Sequence, residues 1–366
     1  MRILLLAHGP SIHTRRWARA YRSRGHEVLL LTAHEASDTG VPTRVVGRAW
    51  PVKALRYLSA VPDVRRAFQE FRPDVTIAHF LPNYGLLAAL AGVPAWMLAC
   101  WGSDLLVNAK RTPLHRARAR YVLRQAPMIH VDAAVLADAA VELGADPRSV
   151  WTRAWGVDTA AFSPEGPVPA RAGQGPGHAG AGPVRILWTR QLEPVYDPEP
   201  FVRALGLLKR RAFPFRATMA GDGPLRAGVE AWIREEGVGE DVVLEGFVGE
   251  ERLRALYRSA DLYVSLSRSD STSQSLLEAM SSGLVPIVTD IAGNREWVTH
   301  RREGYLVPVG DAEALACAIQ ESAGDPEAGP MRVRARARVL ERGSFADTLE
   351  HLDARLATLA AAGRRR

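Results

Sequence analysis

The chain has 366 residues, 47% hydrophobic, 24% charged and 7% aromatic, with a formal net charge of +7. The length favours two domains over one, and the composition excludes a disordered or fibrous chain. No run reaches the roughly 18 apolar residues of a membrane-spanning helix, and no secretory signal is expected. Two distant cysteines, Cys100 and Cys317, exclude a disulfide scaffold and a cysteine zinc cluster and suit a reducing cytoplasm. The charge is uneven. Residues 1–155 hold 21 Lys+Arg against 11 Asp+Glu, a net of +10, whereas the remainder holds 26 against 29, a net of −3. A basic first half points to an anionic partner.

Elements follow in a repeating order. The apolar run Arg2–Ala7 reads as a buried parallel strand, followed by the turn HGPSIHT and a helix carrying Trp17, Ala20 and Tyr21 on one face. Arg24-Gly25-His26 ends that helix and EVLLLT forms a second strand. Helical VPDVRRAFQEF precedes the strand DVTIAH, and GLLAALAG precedes PAWMLACW. A helix around Ala117–Arg124, the strand Met128–Val131 and a helix Val135–Leu143 complete the first half. Residues 168–183, almost all Gly, Ala and Pro, read as a flexible linker. The alternation then restarts at Val184–Thr189 and continues to Val285–Thr289, and Asp311–Arg366 reads as helical.

Strands alternating with helices predict two doubly wound parallel-sheet domains. The expected division is 1–167, the 168–183 linker, 184–335, and a C-terminal helix within 336–366 returning to the first domain. Such a pair would bind ligands at the carboxyl ends of its strands, in a cleft between the halves.

The richest stretch is SLSRSDSTSQSLLEAMSSGLVPIVTDIAGNREW. Asp270 falls in the loop after a strand, and Glu278 about one turn into the following helix. Ser271–Ser275 sits at that helix's N-terminus, where free amides and the helix dipole favour an anion. A carboxylate just behind such a site can accept hydrogen bonds from ribose hydroxyls. The pattern reads equally as a serine N-cap with a solvent-facing Glu278.

This stretch resembles the signature of the retaining glycosyltransferases of family four, which have the GT-B fold. Their Glu-x7-Glu appears as Asp270-x7-Glu278, followed by Ala279-Met280-Ser281-Ser282-Gly283-Leu284-Val285-Pro286 and Asp290. GHEVLLLT, DVTIAHF, GVPAWMLACWGSD, WGVDTAAFSP, AGDGPLRAGVE, VVLEGFV and DLYVSLS also resemble family segments, in the family's order. The resemblance implies two Rossmann-like domains facing each other and transfer of a hexose or N-acetylhexosamine from a UDP-sugar to an acceptor hydroxyl, with retention and without a metal or other cofactor.

It also implies roles. Glu278 would bind the donor ribose, Asp270 the donor sugar, and Arg190 the diphosphate, with Asp270 and Arg190 counted as catalytic. Backbone at Ser273, Gln274, Ser275 and Leu276 would hold sugar or diphosphate. Gly9 would let backbone approach the donor phosphates, and Gly221 and Gly223 of the Gly-Asp-Gly-Pro turn would floor the nucleotide site. Two positions depart from the pattern. Tyr196 stands where the family has a phosphate-neutralising lysine, a charge that Arg16 or Arg268 could supply. Trp101 stands where a histidine is usual, and could stack on a sugar.

Just after first-domain strands, His79 and Asp104 are candidate catalytic groups, and Ser11, His13, Arg16, Asn83 and Trp101 candidates for the acceptor side. Arg15, Arg16, Arg19, Arg22 and Arg24 crowd the first helix around Trp17 and Tyr21, a pattern that could rest on an anionic membrane. Arg116, Arg118, Arg120 and Arg124 read as spread around their own helix. The acceptor is expected to be anionic or lipid-linked, the protein cytoplasmic or peripheral on the inner face of the plasma membrane. No nucleic-acid motif is present. A sugar-nucleotide epimerase or an inactive nucleotide-sugar- or glycan-binding module are the alternatives.

Overall fold

The computed structural model describes residues 1–48, 50, 53–165 and 182–364, so most of the expected linker, 168–181, lies outside the described residues. The chain divides into two compact units, Met1–Ala154 with Thr348–Arg366, and Trp155–Asp347.

The first unit is built on seven strands: β1 (Arg2–Leu6), β2 (Glu27–Thr32), β3 (Thr43–Val45), β4 (Val75–His79), β5 (Trp96–Ala99), β6 (Met128–Val131) and β7 (Val150–Thr152). They form one parallel sheet in the order β3-β2-β1-β4-β5-β6-β7. Central strands are apolar on both faces: Ile3, Leu4, Leu5 and Leu6 are fully buried. The order reverses between β1 and β4. That places the loops after these two strands side by side, at the position where open α/β sheets bind ligands.

The second unit repeats the plan with β8 (Val184–Trp188), β9 (Phe215–Met219), β10 (Val242–Leu244), β11 (Leu262–Ser265), β12 (Val285–Thr289) and β13 (Tyr305–Val307). The order is β10-β9-β8-β11-β12-β13, again parallel, with its reversal between β8 and β11.

The unit boundaries differ from the expected ones. Residues after Ala154 leave the first sheet: Val157 bridges to Ser344, and Ser281 donates to the Phe162 carbonyl at 2.5 Å. Residues 155–165 therefore belong to the second unit rather than to a first domain ending at 167. At the other end, Arg336 donates to the Ser281 carbonyl, so the stretch from 336 to 347 also stays with the second unit. From Thr348 on, the Phe345–Gly363 helix packs on the first unit. Thr348 donates to the Ala154 carbonyl (2.9 Å), Asp353 pairs with Arg24 and His26, and Leu349, Leu352, Leu356 and Ala360 are buried.

The helix Ile12–Ser23 corrects the membrane reading made from it. Trp17 is 1% and Tyr21 0% exposed, so both are core residues. Arg19 and Arg24 hold Asp38 and Asp353, and Arg22 donates to the Gly40 carbonyl at 2.5 Å. Aromatics at helical spacing here serve packing and the arginines serve local pairing. No described helix is long and apolar enough to cross a membrane.

Candidate active site

In the second unit, the loop after β8 carries Arg190 to the N-terminus of the Gln274–Ser281 helix. Its guanidinium is held on three sides. Nη1 donates to Ser273 Oγ (2.7 Å) and Ser275 Oγ (3.0 Å), and Nη2 donates to Asp270 Oδ2 (2.7 Å). Its carbon lies 4.0 Å from the centre of the Tyr196 ring. Burial is the largest single influence and disfavours the charge, yet Asp270 together with Tyr263, Tyr196 and Tyr257 holds the Arg190 pKa above its ordinary value. The side chain is only 10% exposed, and among the described residues its buried Nε–H has no acceptor. A fixed guanidinium with a donor to spare, beside free helix amides, is suited to phosphate oxygens.

Ser273 caps this helix, accepting from the Leu276 amide, while Tyr263 bonds Ser275 Oγ at 2.7 Å. The Leu276 amide is thereby engaged by the cap, and Gln274 turns its side chain to the Gly156 carbonyl (3.1 Å). Glu278 is half-buried rather than solvent-facing, and Tyr257 donates to it at 3.1 Å. Tyr257 is in turn bonded to Thr189 Oγ1 (2.8 Å), and its pKa is pushed well up by burial and then by Glu278. The result is an aligned carboxylate one turn behind the Arg190 cluster.

Tyr196 fills the position of the absent lysine by stacking on Arg190, and Arg268 is bound to Asp197 at 2.9 Å. Gly221 and Gly223 act through close approach. A Cβ on Gly221 would lie 2.2 Å from the Arg190 carbonyl oxygen, and one on Gly223 would lie 2.6 Å from that of Leu192. The turn thus braces the loop that carries Arg190.

Gly293 is a site residue that the sequence reading passed over. A Cβ there would meet the Ser271 carbonyl oxygen at 2.1 Å and that of Asp270 at 2.7 Å. Gly293→Ala is expected to lower stability by about 1–3 kcal/mol and to weaken donor binding, because the Asp270 loop must move. Denaturant unfolding with donor titration checks this; unchanged values in both would show that the loop yields freely.

The first unit holds a cavity of about 990 Å³ at the carboxyl ends of β1 and β4. Ser11, His13, His79, Asn83 and Trp101 line it, whereas Arg16 and Asp104 do not. Trp101 lies between two imidazoles, its ring 5.0 Å from His13 and 5.4 Å from His79. Burial, with His130 and His13 nearby, lowers the His79 pKa to about 3, so the ring is neutral at physiological pH.

Asp104 is fully buried and accepts from the amides of Leu81, Trp101 and Leu105. Burial raises its pKa to about 6 despite those bonds. Its expected catalytic role is therefore corrected to a positioning one: it anchors the wide helical turn Phe80–Gly85, whose Phe80 has φ +76°. Gly9 donates its amide to Thr32 Oγ1 at 3.0 Å, so that N–H already has a partner.

His8, His34, Arg56, Tyr57, Tyr84 and His115 join the lining without having been singled out beforehand, as does Arg118, read from the sequence only as part of a charged helix. His8 and His34 could have been found by the strand-end rule that identified His13 and His79. Nineteen residues line the cavity and none is Asp or Glu. Among the described residues, no three His, Cys, Asp or Glu side chains come together as metal ligands.

The family model described as Glycosyl transferases group 1 matches residues 179–339, and that described as Glycosyl transferase 4-like matches residues 2–133. The amylovoran biosynthesis glycosyltransferase AmsK of Erwinia amylovora is 30% identical over 43% of this chain and 40% of its own length. The D-inositol 3-phosphate glycosyltransferase of Jonesia denitrificans is 26% identical over 88% of this chain and 84% of its own. Among solved structures, Anabaena HepE in complex with UDP superposes with a TM-score of 0.76 at 17% identity, covering 98% of this chain and 100% of that one. The chain has the GT-B fold, and each of its halves matches a glycosyltransferase family model.

The group 1 match contains Arg190, Asp270 and Glu278, and the 4-like match contains every residue of the first-unit cavity. The chain spans less than half the length of the Erwinia relative.

Proposed function

We propose that the protein transfers a hexose or N-acetylhexosamine from a UDP-sugar to the hydroxyl of an anionic or lipid-linked acceptor, with retention and without a metal. The observation that carries this is the Arg190 guanidinium, fixed by Ser273, Ser275 and Asp270 at a helix N-terminus with Glu278 behind it. In the transfer, the bond from the sugar C1 to the donor β-phosphate oxygen breaks and the acceptor oxygen joins C1 on the same face. The acceptor proton passes to the leaving diphosphate. Arg190 and the helix amides meet the charge that builds there.

A uridine donor is supported by the UDP bound to the Anabaena protein. An anionic acceptor is supported by the cavity lining, which lacks carboxylates and presents Arg56 and Arg118. The Jonesia relative, whose name specifies a phosphorylated inositol, supports the same class. A cytoplasmic protein, peripheral on the membrane, fits a lipid-linked acceptor.

Release of nucleoside diphosphate from a panel of nucleotide sugars, with and without acceptors, tests the reading. Glu278→Ala is expected to raise the donor KM at least tenfold, since an aligned charged acceptor of hydrogen bonds is worth about 1.5–3 kcal/mol. Activity should survive EDTA. Donor binding without turnover on any acceptor, or a changed sugar with its diphosphate intact, would replace transfer by binding or epimerisation.

A further inference from the structure

Part of the +10 excess of the first half falls in a single segment. Between Asp104 and Asp132 the chain has six Lys or Arg residues, Lys110, Arg111, Arg116, Arg118, Arg120 and Arg124, and no acidic residue. Most lie on the Pro113–Gln125 helix, which buries Ala119, Val122 and Leu123 against the first unit. Contrary to the reading that its arginines spread around the helix, Arg116, Arg120 and Arg124 recur every fourth residue and are all exposed, forming one ridge. Leu114, Ala117 and Tyr121 form the next ridge, with Leu114 77% and Tyr121 42% exposed.

Folding alone gives no reason for this ridge. Like charges at this spacing oppose a helix, and Arg116 lies near the N-terminal end, where the helix dipole disfavours a cation. Many exposed arginines elsewhere are paired, as in Arg44 with Glu70, Arg216 with Asp241 and Arg252 with Glu245. Among the described residues none of the six basic side chains of this segment enters an ion pair.

We propose that this outer face of the Pro113–Gln125 helix is the membrane-contacting surface of the protein, resting on a bilayer rich in anionic phospholipid. The charge ridge runs about 12 Å along the helix, from Arg116 to Arg124, a span that matches several phosphodiesters of a surface rather than one anion. The adjoining leucine and tyrosine suit the headgroup depth, where an apolar body and a phenolic hydroxyl are both accommodated. An apolar ridge beside the charges fits a bilayer better than a hydrated polyanion. The same helix contributes Leu114, His115 and Arg118 to the cavity lining, so an acceptor rooted in that bilayer would surface beside the proposed acceptor site. The membrane assignment itself stands independently of the transfer reaction.

Co-sedimentation of the full chain with vesicles of phosphatidylcholine, with and without phosphatidylglycerol, tests it. Binding is expected only with phosphatidylglycerol and should weaken with salt. The triple variant Arg116→Gln, Arg120→Gln, Arg124→Gln should lose about 100-fold in partitioning, from about 1 kcal/mol per basic residue at the surface. Its acceptor-independent release of nucleoside diphosphate should be unchanged, and its thermal unfolding midpoint should not fall, since the like-charge repulsion along the helix is relieved. Arg19→Gln, on the Ile12–Ser23 helix, should leave partitioning unaltered. Leu114→Ser retains every charge and should also weaken binding, which keeps the test decisive if the triple variant misfolds. Absence of binding to phosphatidylglycerol vesicles, equal binding by the triple variant, or binding to soluble alginate or duplex RNA but not to vesicles would overturn the proposal.

Discussion

Arg190→Ala is expected to lower glycosyl transfer by about 10²–10³-fold, the usual cost of removing one fixed donor from developing charge. The loss should fall mainly on kcat, because charge on the diphosphate grows as the sugar leaves. A second consequence follows from the packing. Ser273, Ser275 and Asp270 all depend on this guanidinium, so its removal leaves Asp270, with a side chain only 19% exposed, without its cation. A loss of about 1–3 kcal/mol in unfolding free energy should accompany the kinetic defect. Arg190→Lys should rescue little, since an ammonium cannot reach two serines and a carboxylate in the geometry of a planar fork or stack on Tyr196 in the same way. Steady-state kinetics on folded variants distinguishes the two contributions, and full activity in the lysine variant would sink the account of the fork.

Stability should fall in mild acid, and His79 should be a principal cause. Its pKa is about 3 in the folded chain against 6.5 as the ordinary value. The native state therefore binds fewer protons than the unfolded one throughout that interval. His79's contribution is fully present above about pH 6.5 and is lost as pH falls towards 3. Relative to a His79→Gln variant, the wild type should lose about 3 kcal/mol between about pH 7 and 4. His130, lowered to about 4 chiefly by burial, acts in the same direction. Asp104 acts in the opposite one: its pKa of about 6 lies above the usual 3.8, so protonation of the native state stabilises it as pH falls through that window. The wild-type curve alone would mix these effects, whereas its difference from His79→Gln isolates the histidine. A difference that stays flat from pH 7 to 4 would show that the ring is solvated enough to protonate. Above about pH 5 His79 should produce no inflection in the rate, because it stays neutral there.

The parts of the fold that were legible in the sequence are those whose physics is local. A central parallel strand must be apolar on both faces, so β1, β2, β5 and β12 stand out as nearly continuous apolar runs. The edge strands β3 and β7 have three residues each and are largely open to solvent, and β13 is equally short; none carries such a signal. Arg190, Asp270 and Glu278 were readable because each follows a strand or opens a helix within a recognisable stretch. Tyr257 and Tyr263 were not, because their value lies in bonds to Glu278 and Ser275 that only the folded sheet brings together. The first helix misled for a related reason. Trp17 and Tyr21 among arginines suit either a membrane face or a core face, and only the Phe345–Gly363 helix, far away in sequence, supplies the Asp353 that Arg24 and His26 hold.

That distant helix also orders the events of synthesis. The second unit is one continuous stretch, Trp155–Asp347, placed inside a first unit whose final piece is translated last. The second unit has all its strands and can reach its native state while the first still lacks Leu349, Leu352 and Leu356. Until they arrive, the surface that they cover, and Arg24 and His26 beside it, stays open to solvent. The nascent chain thus holds a complete second unit before it holds a complete first one.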